Sequence, residues 1–128
     1  MIIRGKIVYV YDIEVFQNIF HCSVKNTETN DIYKFEISER KNQLRDLVKF
    51  FKQVNKYITW GDYYTTNINI TANVIFCGYN NLHYDNPIIN YIIDYEDKLM
   101  QYNIPTICSS IFNLSKTITT SSEDNIDA

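Results

Sequence analysis

The sequence predicts one α/β domain in which a mixed sheet is covered by helices. Its 128 residues are enough for a single core, and a hydrophobic content of 45% is in the ordinary globular range. Three strand-like segments joined by short links come first, and a helical segment then leads to a fourth strand and a second helix. This β-β-β-α-β-α order predicts a meander extended by a parallel strand, because a parallel neighbour needs a crossover connection.

β-branched and aromatic residues mark the four predicted strands. The first covers residues 6–13 and the second residues 19–25. A polar turn leads to the third strand at residues 31–37, where apolar and polar residues alternate. The compact apolar run at residues 73–78 predicts the fourth strand, whereas the polar and aromatic residues 59–72 before it predict a loop or insertion.

Apolar residues at spacings of three and four predict two helices. The first follows Ser38, which we predict as its N-cap, and its apolar face runs from Leu44 to Ile58. The second begins near Pro87, a residue suited to the first helical turn. The first helix also carries a basic stripe, which a solvated helix face explains more simply than a DNA contact. That stripe consists of Arg45, Lys49, Lys52 and Lys56.

Charge and cysteine content exclude several classes of protein. The formal net charge of −3 does not indicate a nucleic-acid binder, although a metal-dependent nuclease site is itself acidic. Three widely spaced cysteines fit neither a disulfide framework nor a zinc motif. The sequence shows neither a signal peptide nor a membrane-spanning segment, so we expect a cytoplasmic protein without a membrane partner.

Two acids separated by one residue, Asp12 and Glu14, end the first predicted strand. Period-two alternation places both side chains on the same face. Neighbouring carboxylates repel each other unless a proton or a cation intervenes, and hard oxygen ligands suit Mg²⁺ or Mn²⁺. Considered alone, the pair is explained more simply by two solvated acids at a strand end.

A third acid, Asp85, follows the fourth predicted strand and precedes the second helix. If the fourth strand pairs with the first, as it does in a ribonuclease H-like sheet, Asp85 could approach Asp12 and Glu14. Three carboxylates would then surround one cleft. Two metal ions about 4 Å apart, held by such acids, can activate a water molecule and stabilise the leaving oxygen of a phosphodiester.

Both acidic segments resemble motifs of one enzyme family. Residues 11–16, Tyr-Asp-Ile-Glu-Val-Phe, resemble the first Asp-x-Glu motif of 3′–5′ exonuclease domains in family-B, phage-type DNA polymerases. Residues 78–85, Gly-Tyr-Asn-Asn-Leu-His-Tyr-Asp, are similar to the second motif of these domains, which belong to the DEDD superfamily. The resemblance covers about residues 6–100, with both motifs in the family's chain order and on the expected elements.

The resemblance implies a ribonuclease H-like mixed sheet and a two-metal active site. Asp12, Glu14 and Asp85 would be catalytic ligands of Mg²⁺ or Mn²⁺, with Asp12 bridging both ions. Asn81 would help to hold the single strand, and Phe16 would contact a base near the 3′ end. The implied activity is proofreading, in which the 3′-terminal phosphodiester of DNA is hydrolysed.

The sequence departs from the family in one respect. A third motif, Tyr-x(3)-Asp or His-x(4)-Asp, is absent from the 128 residues. We therefore expect residues 1–114 to be the N-terminal part of an exonuclease-like domain, incomplete at its C-terminus. Residues 115–128 would be a polar tail or the start of the remaining polymerase chain. Such a fragment would be inactive alone.

Two alternatives remain open from the sequence. The first is a catalytically inactive ribonuclease H-like module that binds nucleic acid or acts as a scaffold. The second is a small stand-alone globular protein whose acidic motifs are coincidental. The first alternative differs from the exonuclease in whether Asp12, Glu14 and Asp85 bind metal ions.

Overall fold

A computed structural model of the chain describes residues 1–52, 57–60, 68–71, 74–78 and 85–127. The strands are β1 (Ile2–Ile3), β2 (Lys6–Phe16), β3 (Ile19–Asn26), β4 (Ile32–Ser38), β5 (Lys41–Asn42), β6 (Tyr57–Trp60), β7 (Ile68–Thr71) and β8 (Val74–Gly78). The helices are α1 (Leu44–Lys52), α2 (Asp85–Asp94), α3 (Glu96–Leu99) and α4 (Ile104–Asp127). None of the helices within the described ranges has the length and apolar character needed to cross a bilayer.

All described strands belong to one sheet in the order β5-β4-β3-β2-β8-β7-β6, and β1 also pairs with β2. Strands β2, β3 and β4 form an antiparallel meander. Strand β8 lies on the other side of β2 and runs parallel to it, with Ile7 opposite Val74 and Tyr11 opposite Gly78. The remaining pairs are antiparallel. The prediction of an α/β domain with a mixed sheet is thus confirmed, and the sheet is mostly antiparallel.

Period-two alternation gives the sheet two different faces. Tyr11 and Ile13 of β2 point into the core, where the Tyr11 ring packs edge-on against Phe51 of α1 at 5.3 Å between centroids. Buried residues of all four helices join this single cluster, including Ile89 of α2 and Ile111 of α4. We call this side the helix face. The opposite side, the outer face, carries Val10, Asp12, Glu14 and Phe16 of β2, His21, Ser23 and Lys25 of β3, and Ile32, Lys34 and Glu36 of β4.

The first helix is shorter than the sequence predicts and begins differently. Helix α1 ends at Lys52, and Ile58 belongs to strand β6. The predicted N-cap was wrong, because Ser38 ends β4 and its hydroxyl donates to Glu36 Oε2 at 2.5 Å. The Leu44 amide instead donates to Asn42 Oδ1 at 3.1 Å. The intervening two-residue strand β5 moves the start of the helix to Leu44.

Two further segments differ from their predictions. Residues 59–72 were predicted as a loop, but β6 and β7 lie within or overlap this range and form the edge of the sheet beside β8. Apolar and polar residues alternate in the β7 sequence Ile-Asn-Ile-Thr, which is typical of a strand. The polar residues of this segment had instead suggested a loop. Residues 115–127, predicted as a polar tail or the start of the remaining chain, continue α4. Tertiary packing of Ile107 and Ile111 stabilises the N-terminal part of that helix despite its β-branched residues.

Candidate functional site

The acids Asp12 and Glu14 both project from the outer face of the sheet. They lie within β2, which continues to Phe16, and not at its end as predicted. Asp12 is half-buried and Glu14 is exposed. Across the β2–β3 pairing, Ser23 lies opposite Asp12 and His21 lies opposite Glu14. This pair of carboxylates therefore faces solvent on the side of the sheet away from the described helices.

Asp85 lies on the helix face at the start of α2 and has no exposed surface. A Cβ atom at Gly78 would stand 2.9 Å from the Asp85 Cβ and 3.1 Å from its Oδ2. The same position is 3.4 Å from Cζ of Tyr11, the residue opposite Gly78 in the parallel pairing. Asp85 therefore packs over the last residue of β8, in space that only a glycine leaves free.

A hydrogen bond between two buried side chains links β2 to α2. The Tyr11 hydroxyl donates to Asn86 Oδ1, and both residues are almost completely buried. Tyr11 directly precedes Asp12, and Asn86 directly follows Asp85. None of Tyr11, Asn86 and Gly78 was predicted from the sequence as a site residue. A signal was available in the adjacency of Tyr11 and Asn86 to two predicted site acids.

The pKa of the buried Cys22 thiol is affected by one acid from each of the two predicted motifs. Cys22 lies in β3 opposite Ile13 and points into the core. Burial raises the pKa of this thiol well above its ordinary value, and the negative charges of Asp85 and Asp12 raise it further. The two acids therefore lie near enough to Cys22 to act on it electrostatically, although they belong to opposite faces of the sheet.

The three predicted metal ligands do not form a metal site in this arrangement. Asp12 and Glu14 project from the outer face, whereas Asp85 is buried on the helix face. Within the described ranges, no group of three histidine, cysteine, aspartate or glutamate side chains could hold a metal ion. The structure therefore does not bring the three predicted ligands of Mg²⁺ or Mn²⁺ together on one face of the sheet.

The two predicted DNA contacts are placed differently. Phe16 ends β2 on the outer face and is 55% exposed, so its ring is accessible to a ligand. Asn81 lies outside the described residues. Its neighbours His83 and Tyr84 lie outside them as well.

A bidentate ion pair stabilises the end of β4. Arg40 donates to both oxygens of Glu36, from Nε at 2.7 Å and from its Nη2 at 2.8 Å. Hydrogen bonds from Arg40 and from the Ser38 hydroxyl lower the pKa of Glu36 from 4.5 to about 2. These contacts hold the turn between β4 and β5 and leave the Glu36 carboxylate occupied by protein donors. We therefore assign Glu36 a structural role.

A groove of about 330 Å³ crosses the outer face beside Asp12. We call it the outer groove, and its side chains on this face are those of Val10, Asp12, Ser23, Lys25, Ile32 and Lys34. The two lysines are exposed, and Asp12 brings one acid of the first motif into the same groove.

Comparison of the chain with known protein families, curated proteins and solved structures finds no match in any of the three.

Proposed function

We propose that the chain carries the first two of the three motifs of a 3′–5′ exonuclease domain of the family-B DNA polymerase kind, on a ribonuclease H-like sheet. The observation that carries this proposal is the parallel pairing of β2 with β8. That pairing makes the strand bearing Asp12 and Glu14 the neighbour of the strand that precedes Asp85.

In this proposal the substrate is the 3′ end of single-stranded DNA, and the reaction of the complete domain is hydrolysis of the terminal phosphodiester. Asp12, Glu14 and Asp85 would be its ligands for Mg²⁺ or Mn²⁺, and Phe16 and Asn81 would contact the strand. The 128 residues lack the third motif, and Asp85 faces away from the other two acids. We therefore propose that this chain alone binds DNA without cutting it.

A second candidate is a catalytically inactive ribonuclease H-like module that binds nucleic acid. The burial of Asp85 on the helix face favours it, because Asp85 there packs against Gly78 as a structural residue. The two candidates differ in whether metal ions act at Asp12. In an exonuclease-like site, Asp12 would help to hold a divalent cation whose charge offsets that of the DNA phosphates, whereas an inactive module would bind DNA without one.

One experiment separates the candidates. A 5′-labelled single-stranded oligonucleotide is incubated with the purified chain in Mn²⁺ or in EDTA, and its length and bound fraction are measured. The variants are Asp12→Ala and, as a control for loss of an exposed acid elsewhere, Asp46→Ala on α1. We expect no shortening, and severalfold tighter binding in Mn²⁺ that Asp12→Ala abolishes and Asp46→Ala retains.

The other outcomes are distinct. Metal-dependent shortening from the 3′ end that Asp12→Ala abolishes would establish an exonuclease and overturn the proposed inactivity of this chain. Binding that Mn²⁺ does not change would favour the inactive module. Failure of the wild-type chain to bind the oligonucleotide under either condition would contradict both candidates.

A further inference from the structure

The outer groove carries its lysines on β3 and β4 and its acid on β2. Val10 lies opposite Lys25, and Lys25 lies opposite Ile32, so one row across three strands is apolar with a central lysine. The next row contains Asp12, Ser23 and Lys34. The row beyond that begins with Glu14. A ligand lying along the groove would therefore pass from Lys25 and Lys34 toward two carboxylates.

The two lysines are available to a ligand. Both are exposed, and neither forms an ion pair with a residue in the described part of the chain. Lys34 is two strands from Asp12, a separation of about 10 Å at the usual strand spacing. At that distance the Asp12 charge is largely screened at physiological salt, so Asp12 does not neutralise the lysine.

Two apolar side chains, Val10 and Ile32, flank Lys25 in the groove. Val10 is half-buried, and Ile32 is 58% exposed although it lies in a strand of the sheet. Apolar side chains beside exposed lysines complement a polymer with regularly spaced negative charges and flat apolar faces. Single-stranded nucleic acid has both, since its bases are not hidden in a duplex.

We propose that the outer groove binds a segment of single-stranded DNA, with Lys25 and Lys34 contacting its phosphates and Val10 and Ile32 supporting its bases. The strand runs from the lysines toward Asp12, where a phosphate is repelled unless a cation accompanies it. This inference rests on the proposed function for the identity of the polymer. Beyond that function, we infer the route of the DNA strand across the outer face and its contacts with Lys25 and Lys34.

The test measures binding of a labelled oligothymidylate to the full chain by fluorescence anisotropy over a range of salt concentrations, with EDTA present. The groove variant is Lys25→Gln with Lys34→Gln, and the matched control is Lys49→Gln with Lys52→Gln on α1. All four lysines are exposed, and both double variants remove the same charge. Unfolding by urea confirms that each variant is folded.

Each phosphate contact contributes about 0.7 to the slope of log affinity against log salt for a single strand. We therefore expect the groove variant to reduce the slope by about 1.4 and to weaken binding at low salt, whereas the control retains the wild-type slope. Equal effects of the two variants, or no effect of either, would overturn the groove assignment while DNA binding itself persists.

Two further outcomes identify other causes. If polyglutamate displaces the oligonucleotide as effectively as unlabelled DNA does, the groove takes an acidic polypeptide and the DNA assignment fails. If the wild-type chain does not bind DNA at all, the proposed function fails and the groove assignment fails with it. Loss of the groove effect alone leaves the proposed function intact.

Discussion

Gly78 leaves the space that Asp85 occupies: a Cβ at position 78 would stand only 2.9 Å from the Asp85 Cβ. Real Cβ atoms do not approach this closely, and the Asp85 Cβ cannot rotate away because it is bonded to the backbone of α2. The contact therefore fixes the distance between the end of β8 and the first turn of the following helix.

Gly78→Ala should destabilise the protein by about 1–3 kcal/mol, because the added methyl group overpacks this contact. Urea unfolding monitored by circular dichroism measures the change. Asp85→Gly removes the atom that the methyl group meets. The double variant should therefore lose less stability than the sum of the two single variants. Additive effects would show that Asp85 is not the obstacle.

Tyr11→Phe should cost about 1 kcal/mol, the usual net contribution of a buried hydrogen bond, because it removes the donor to Asn86. The ring that packs against Phe51 is retained, so the loss reports the hydroxyl alone. Tyr95→Phe is the control, since Tyr95 is 49% exposed between α2 and α3. Equal stability of Tyr11→Phe and wild type would contradict the role of this hydrogen bond.

Glu36 should make stability depend on pH in the acidic range. Its folded-state pKa of about 2 lies below the ordinary 4.5, so its stabilisation is complete above pH 4.5 and is lost as the pH falls toward 2. Arg40→Gln should raise this pKa toward 4.5, as measured by carboxyl NMR titration. It should also be less stable than wild type at neutral pH, with a difference that shrinks near pH 2.

The matched control for that measurement is Glu39→Gln, which removes an exposed acid next to Arg40. Its stability difference from wild type should not follow the pKa of Glu36. If Arg40→Gln leaves the Glu36 pKa near 2, the ion pair is not the cause of the low value.

Ile111→Ala should destabilise the protein by about 2–5 kcal/mol, because Ile111 of α4 is completely buried in the core cluster. Ile32→Ala removes the same atoms from a side chain that is 58% exposed, and should cost far less. Equal effects in urea unfolding would show that α4 does not pack on the sheet.

The sequence was sufficient to predict the meander and the α/β class, because strands such as residues 19–25 have a clear content of β-branched and aromatic residues. It was not sufficient for β7 or for the second half of α4. The four residues of β7 are held by pairing with β8, and α4 is held by contacts of Ile107 and Ile111 with the core. Both are tertiary effects that local composition does not report.

Part of the candidate site was likewise predictable from the sequence, and part was not. Alternation along β2 is a local property, so the shared face of Asp12 and Glu14 followed from their spacing. The face that Asp85 occupies depends on how the chain re-enters the fold after β8, and on the space at Gly78. The order of the elements is consistent with β2 and β8 as neighbours. It does not indicate on which face of the sheet α2 packs.

The parallel pairing of β2 with β8 also has a consequence for folding kinetics. The meander joins strands that are close in sequence, whereas Ile7 pairs with Val74 across about half of the chain. Contacts between distant segments form late, because the entropy of closing the loop must be lost before they contribute. We therefore expect β2, β3 and β4 to associate first, and β8 and α2 to dock afterwards. Substitutions at Gly78 should then mainly accelerate unfolding and leave the folding rate nearly unchanged.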